Sequence, residues 1–176
     1  MKILGINALN HDAAITMIED GEILFAAHSE RYSGIKNDPD LNQPLFSDCF
    51  KYGIPDKVVY YERPYLKKLR QLRAGQYGEV LSRKNLPSYY LRDFVGNTPI
   101  EYVQHHTSHA AAGYFTSPYE ESAIVVIDAM GEWETCSIWY AYGGHLEKRY
   151  SIRYPNSLGL WYSAMTQRLG LKPQED

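Results

Sequence analysis

The sequence predicts an α/β fold of mixed sheets flanked by helices, laid down as two halves of like design with the second incomplete. Three observations carry this. A strand, a turn, a second strand, another turn and a third strand begin near residue 3 and begin again near residue 123. Each time an acidic residue, Asp12 and then Asp128, stands just past the first strand. A helical pattern follows each series, and 176 residues are enough to bury a real core.

The elements follow in order. "KILGINAL", residues 2–9, is an apolar strand that "NHD" interrupts. Two further apolar runs flank "EDGE", and Asp20-Gly21 between them is a strong short hairpin signal. The chain therefore opens with an antiparallel meander. "NQPLFSDCFKY" (42–52) suggests a short helix and "KVVYYE" (57–62) a strand. Residues 63–84 place apolar side chains near helical spacing among many positive charges, which reads most simply as a solvated basic helix face. "IEYVQ" (100–104) is a short strand, and "HTSHAAAGYFTS" is the helix after it. The pattern then restarts. "SAIVVIDAMGEWETCSIWYAYGGHLEKRYSIRY" reads as three strands, with Gly143-Gly144 as a hairpin turn, and a helix follows from about Ser157 to Leu169. This duplicated layout is that of the actin-like ATPase (ribonuclease H-like) superfold, in which two halves face each other across a phosphate-binding cleft. On this reading residues 1–121 form the first subdomain, and 122–176 begin a second that is cut short.

Composition narrows the function. Eighteen basic and 21 acidic residues leave a formal charge of −3, so nothing favours nucleic acid or an anionic membrane. No apolar run approaches the ~20 residues of a membrane helix, and the N-terminus lacks a secretory pattern. Cys49 and Cys136 are isolated in sequence, which suits free thiols in a cytoplasmic protein. The sixteen tyrosines suit half-buried surfaces, an interface or aromatic-rich sheet edges.

The chemistry concentrates in "EYVQHHTSHAAAGYF", which holds three of the six histidines. On a helix His105 and His109, four apart, share one face, and His106 lies about 100° around. Two imidazoles one turn apart can hold a divalent cation if a carboxylate or water completes the shell. Without a third ligand they read more simply as polar residues at a helix start. Asp128 is the candidate third ligand, since it ends the strand "AIVVIDAM", where open sheets present binding groups. The turn "DAMGE" adds backbone N–H groups, with Gly131 allowing tight curvature or close approach. His11 and Asp12, in the first loop, read either as a polar turn or as a base beside a cleft.

Together "ILGINALNHDAA", "DGEILFAAHSERYSGIKND", "HHTSHAAAGYFTSPYEESAIVVIDAMGE" and "PNSLGLWYSAMTQRLG" resemble, in this order, the N-terminal part of the O-carbamoyltransferases of the NodU/CmcH type, which act in nodulation-factor and antibiotic biosynthesis. The resemblance covers nearly the whole chain, with residues 62–98 matching least. It implies an actin-like domain related to the tRNA threonylcarbamoyl-transfer enzymes, followed by a C-terminal YrdC-like domain. The latter makes carbamoyl-adenylate from carbamoyl phosphate and ATP, and the former passes the carbamoyl group to a hydroxyl of a small-molecule acceptor. It also implies a bound metal, often iron, although imidazole and carboxylate suit zinc or manganese as well.

Carried over by motif, His105 and His109 are metal ligands, and Asp128 is a third ligand or lies in the metal's immediate surroundings. His11 falls at the position that activates the acceptor, with Asp12 beside it. Lys36 matches a lysine that stabilises charge near the carbamoyl group. Gly131 and Glu132 match the phosphate- and ribose-side turn. Two departures stand out. Ala129 replaces the first glycine of the family's Asp-Gly-x-Gly-Glu, which raises the question of backbone strain there. The chain also stops at Asp176, short of a further metal ligand and of the YrdC-like domain, so the 176 residues by themselves are expected to be inactive. A non-catalytic metal- or nucleotide-binding module that joins a partner chain or a second copy is the alternative. A sugar kinase of the same superfold has no need of the paired histidines.

Overall fold

A computed structural model describes residues 1–73, 75, 77–82 and 86–172. It divides into two compact units, Met1–Val103 and Gln104–Asp176.

The first unit is built on a five-stranded sheet. Its strands are β1 (Lys2–Asn7), β2 (Ala14–Glu19), β3 (Glu22–His28), β4 (Lys57–Tyr60) and β5 (Ile100–Tyr102), in the order β3-β2-β1-β4-β5. β1, β2 and β3 pair antiparallel as the expected meander, whereas β4 and β5 run parallel to β1. Asp20 and Gly21 both take positive φ, 49° and 93°, the backbone that a two-residue hairpin requires. Period-two alternation puts one face of the sheet inside. Leu4 lies opposite Met17 and Val58, and Ile6 opposite Ile15 and Tyr60, all of them buried.

Helices cover that face. α1 is Glu30–Ser33 and α2 is Gln43–Cys49, the latter running into a 3-10 turn at Phe50–Tyr52. Asn42 caps α2 by accepting from the Leu45 N–H at 3.1 Å. Leu45 and Phe46 reach the core, and Phe46 stacks on Phe94 at 4.5 Å. Residues 63–84 form two helices instead of one continuous stripe: α3 (Pro64–Arg73) and α4 (Tyr77–Leu81). Positions 74, 76, 83 and 84 of the predicted basic helix lie outside the described residues. α5 (Pro87–Tyr90) and α6 (Arg92–Val95) bury Leu91 and Val95, and the sequence pattern announced neither helix, since each spans about one turn and shows no period.

The second unit starts with α7 (His105–Phe115), then a sheet of β6 (Glu121–Gly131), β7 (Glu134–Tyr142) and β8 (His145–Arg153), and ends in α8 (Leu158–Arg168). The three strands pair antiparallel in chain order. Ala110 of α7 packs with Val126 and Trp139, so α7 belongs by packing to this sheet. The units thus part after Val103, and not after residue 121 where the repeat pattern drew the subdomain boundary. The other face of β6 leaves Val125 and Ile127 more than half exposed, and α8 exposes Trp161 and Tyr162, with Leu169 exposed just after it. Among the described residues no helix is long and apolar enough to cross a membrane. Cys49 and Cys136 are free, and burial pushes the Cys49 thiol up to about 11.

Candidate metal centre

α7 starts at His105 because Gln104, in extended conformation, turns the chain into the helix. One helical turn separates His105 from His109, which brings their rings to 4.8 Å between centroids. The third participant comes from the end of β6. Register is lost between Ile127 and Gly131, so residues 128–130 bulge out of the ladder. The bulge turns Asp128 toward α7. Its Oδ2 lies 2.9 Å from His105 Nε2, and the two Nε2 atoms of His105 and His109 are 3.1 Å apart.

One ligand atom from each of His105, His109 and Asp128 falls within 4.8 Å of the others. Metal–ligand bonds of about 2.1 Å at right angles give edges of about 3.0 Å between neighbouring donors, close to the two separations found here. In a metal-free site a single proton on His105 Nε2 faces both the carboxylate and the second imidazole. A cation between them lets all three accept it as lone-pair donors, so the donor set fits a divalent metal.

The electrostatics agree with that fit. Burial opposes the charge of Asp128, but the hydrogen bond and charge of His105, with the Ala129 N–H at 2.6 Å, hold its pKa below the usual carboxylate range. Burial and the neighbouring His105 lower the pKa of His109, which favours the neutral imidazole a metal needs.

Two glycines shape the site. A Cβ at Gly131 would stand 2.2 Å from His105 Cδ2, so the close approach this glycine permits is that of the imidazole. A Cβ at Gly159 would meet Ala129 N at 2.5 Å, and its absence lets α8 lie on the bulge backbone. Ser157 fastens the same junction. Its hydroxyl caps α8 by accepting from Leu160 N–H at 3.0 Å, and it donates to Ala129 O at 2.7 Å. Ala129 is not among the residues with positive φ, so the alanine in the first glycine position brings no left-handed strain. Glu132 does take φ 57° at the head of the β6–β7 turn, and it is buried to 3% exposure.

His106 was outside the sequence candidates for the site, and its role is structural. It points away from the cluster and is fully buried, its Nδ1 2.7 Å from Ser137 Oγ, which also accepts from Trp139 Nε1 at 2.8 Å. Its Nε2 has no hydrogen-bond partner. Nearby, Glu134, 5% exposed, accepts from Lys148 at 2.8 Å and 2.9 Å and from Gln104 Nε2 at 2.7 Å, which ties the start of α7 to the sheet. Only the fold brings these residues together from separate elements, so sequence spacing held no signal for them.

Burial depresses the pKa of His106 below its usual 6.5. The unfolded chain then binds a proton that the folded chain resists. Stability is therefore full above pH 6.5 and falls as the pH drops through the lowered value, by at most about 1.4 kcal/mol per pH unit for this group. Thermal melts from pH 7.5 to 5 will show this acid loss, and His106→Gln will reduce it. An unchanged pH dependence in that variant rules out His106 as its source.

In the first unit His11 Nδ1 donates to Asp12 Oδ2 at 2.7 Å, with both side chains more than a third exposed. Asp12 takes φ 51°, held by Asn7 Nδ2 donating to its carbonyl at 3.0 Å. The loop carrying Lys36 lies alongside: Asn37 O accepts from the Asp12 N–H, Asp38 O from Ala13 and Pro39 O from Leu9. The structure thus joins the loops of His11, Asp12 and Lys36 in one unit, and gathers His105, His109, Asp128, Gly131 and Glu132 in the other.

Comparison with known proteins gives concordant matches. Residues 58–176 match the family described as "Carbamoyltransferase N-terminus". An uncharacterized protein, sll1178, of Synechocystis is 32% identical over 97% of this chain and 32% of its own length. The nodulation protein NolNO of Sinorhizobium fredii is 25% identical over 93% of this chain and 26% of its own. The chain thus spans about a third or less of these relatives. A solved Ppx/GppA enzyme of Aquifex aeolicus aligns over 96% of this chain and 55% of its own at 13% identity, but its TM-score of 0.43 carries no fold argument.

Proposed function

The chain belongs to the carbamoyltransferase family, matching its N-terminal region, and on that premise we propose that it is the part of an ATP-dependent carbamoyltransferase that passes a carbamoyl group from carbamoyl-adenylate to an acceptor hydroxyl. The observation that carries this reading is the convergence of His105, His109 and Asp128 on one point. An actin-like fold is supported by the sheet order β3-β2-β1-β4-β5 and by a second meander restarting at β6. In the whole protein a YrdC-like domain would form the adenylate from carbamoyl phosphate and ATP, in the cytoplasm, where the free thiols are stable. The exposed apolar face of α8 suits a covering domain or a second copy.

A divalent metal, iron, zinc or manganese, held by His105, His109 and Asp128, supplies positive charge for the adenylate phosphate. The chain's own groups do the rest. The Asp12 carboxylate accepts from His11 Nδ1–H, which leaves the Nε2 lone pair as the base for the acceptor O–H. The acceptor oxygen bonds to the carbamoyl carbon, the carbon–phosphate oxygen bond breaks, and AMP departs with the electron pair. Lys36 offsets the negative charge that develops on the carbamoyl oxygen. Gly131 and Glu132 would meet the nucleotide, a role that the positive φ of Glu132 supports.

The test uses the whole protein with ATP, carbamoyl phosphate and a panel of hydroxyl acceptors, following gain of a carbamoyl group by mass. His11→Ala should slow transfer by about 10²–10⁴-fold while adenylate formation continues. Transfer at the wild-type rate in this variant would remove His11 as the base. An absence of transfer to every acceptor, with adenylate still made, would favour the non-catalytic binding module.

A further inference from the structure

A second concave site lies wholly within the first unit, at the carboxyl ends of two parallel strands. The chain leaving β1, at Leu9 and Asn10, and the end of β4, at Tyr60 and Glu62, form one side. α3 forms the other with Lys67, Lys68, Arg70 and Gln71. The cavity has a volume of about 380 Å³, ample for a monosaccharide-sized compound. Open α/β sheets bind ligands outside the carboxyl ends of their strands.

The lining is too polar and too buried for a mere seam between elements. Gln71, a polar side chain of α3, lines the cavity and is only 8% exposed. An amide that lines a cavity offers both a donor and an acceptor to a bound hydroxyl. Glu62, 6% exposed, accepts from Lys67 Nζ at 2.7 Å, which occupies one of the three donors of that lysine. Lys68 Nζ gives two of its three to the carbonyls of Val80 and Ser82, both at 2.7 Å, and so fixes α4 against α3. Among the described lining residues Lys67 and Lys68 stand against one carboxylate, Glu62. Among these residues ammonium groups outnumber carboxylates, in a chain whose overall charge is −3.

Asn10, which lines this cavity, immediately precedes His11. We propose that the cavity binds the acceptor, a small polyhydroxylated compound bearing an anionic group, carboxylate or phosphate. The anion faces Lys67 and Lys68, hydroxyls meet the Gln71 and Asn10 amides, and the reacting hydroxyl lies toward His11. The acceptor role rests on the transfer reading above, whereas the binding site and its charge preference do not.

Calorimetric titration of the purified protein with glucose 6-phosphate, glucuronate and uncharged glucose tests the proposal. One or both charged sugars should bind at least about tenfold more tightly than glucose, and whichever binds identifies the anion as phosphate or carboxylate. Gln71→Leu and, separately, Asn10→Ala should each weaken that binding by about tenfold (1.4 kcal/mol) or more. Equal binding of all three sugars, binding of none, or wild-type affinity in both variants would overturn it. Transfer is read separately by mass: a charged sugar that binds in the cavity but is never carbamoylated, in a protein that carbamoylates other hydroxyls, would overturn the acceptor role.

Discussion

His105→Ala will strip the protein of bound metal. Protein purified without a histidine tag should carry about one metal ion per chain by elemental analysis, and the variant essentially none. The expectation follows from position. His105 Nε2 lies 2.9 Å from Asp128 and 3.1 Å from His109, so it is the middle donor of the three. Its loss leaves two donors that do not hold each other in place. Loss of an outer partner of a metal ligand already lowers affinity by about 10–100-fold, and loss of the central ligand should exceed that.

Acid should release the metal in a defined direction. Protons compete for the same lone pairs, and His109 and Asp128 both have lowered pKa values. The ion should therefore stay bound as the pH falls past 6.5, the usual imidazole value, and leave only at lower pH. Full metal content in His105→Ala would show that the ion binds elsewhere.

Gly131→Ala should empty the same site without touching a ligand. The new Cβ would sit 2.2 Å from His105 Cδ2 and 2.7 Å from Cγ, far inside the 3.5–4.0 Å of ordinary carbon contacts. The clash includes the root of the ring, so a small rotation does not relieve it. The imidazole has to swing away and carries Nε2 from Asp128 and His109. Metal content should fall as in His105→Ala, with an overpacking loss of about 1–3 kcal/mol in a thermal or denaturant melt. Wild-type metal affinity in this variant would mean that His105 does not need the space Gly131 leaves.

Much of the architecture was legible in sequence because it rests on local rules. Asp20-Gly21 announced the first hairpin, and the apolar run "KILGINAL" with the two runs that flank "EDGE" announced the meander. The four-residue spacing of His105 and His109 announced a shared helix face. The family too was legible, through four motifs in order, and the match over residues 58–176 agrees with it. The boundary between units was less legible. Repetition in the sequence placed it after residue 121, but the burial of Ala110 against Val126 and Trp139 binds α7 to the second sheet.

The sequence by itself determined the strands, the helical pairing of the two imidazoles and the chemical types available, because turn chemistry and side-chain period act over a few residues. The tertiary structure alone decided which groups meet. The bulge at residues 128–130 aims a carboxylate at α7, Gly131 yields its volume to His105, and His106 turns to Ser137 instead of the cluster. It also decided that Lys67 and Lys68 of α3 line a cavity together with the largely buried Gln71. Contacts of this kind join residues tens of positions apart. They depend on register, bulges and packing, and none of these is encoded in any one stretch of chain.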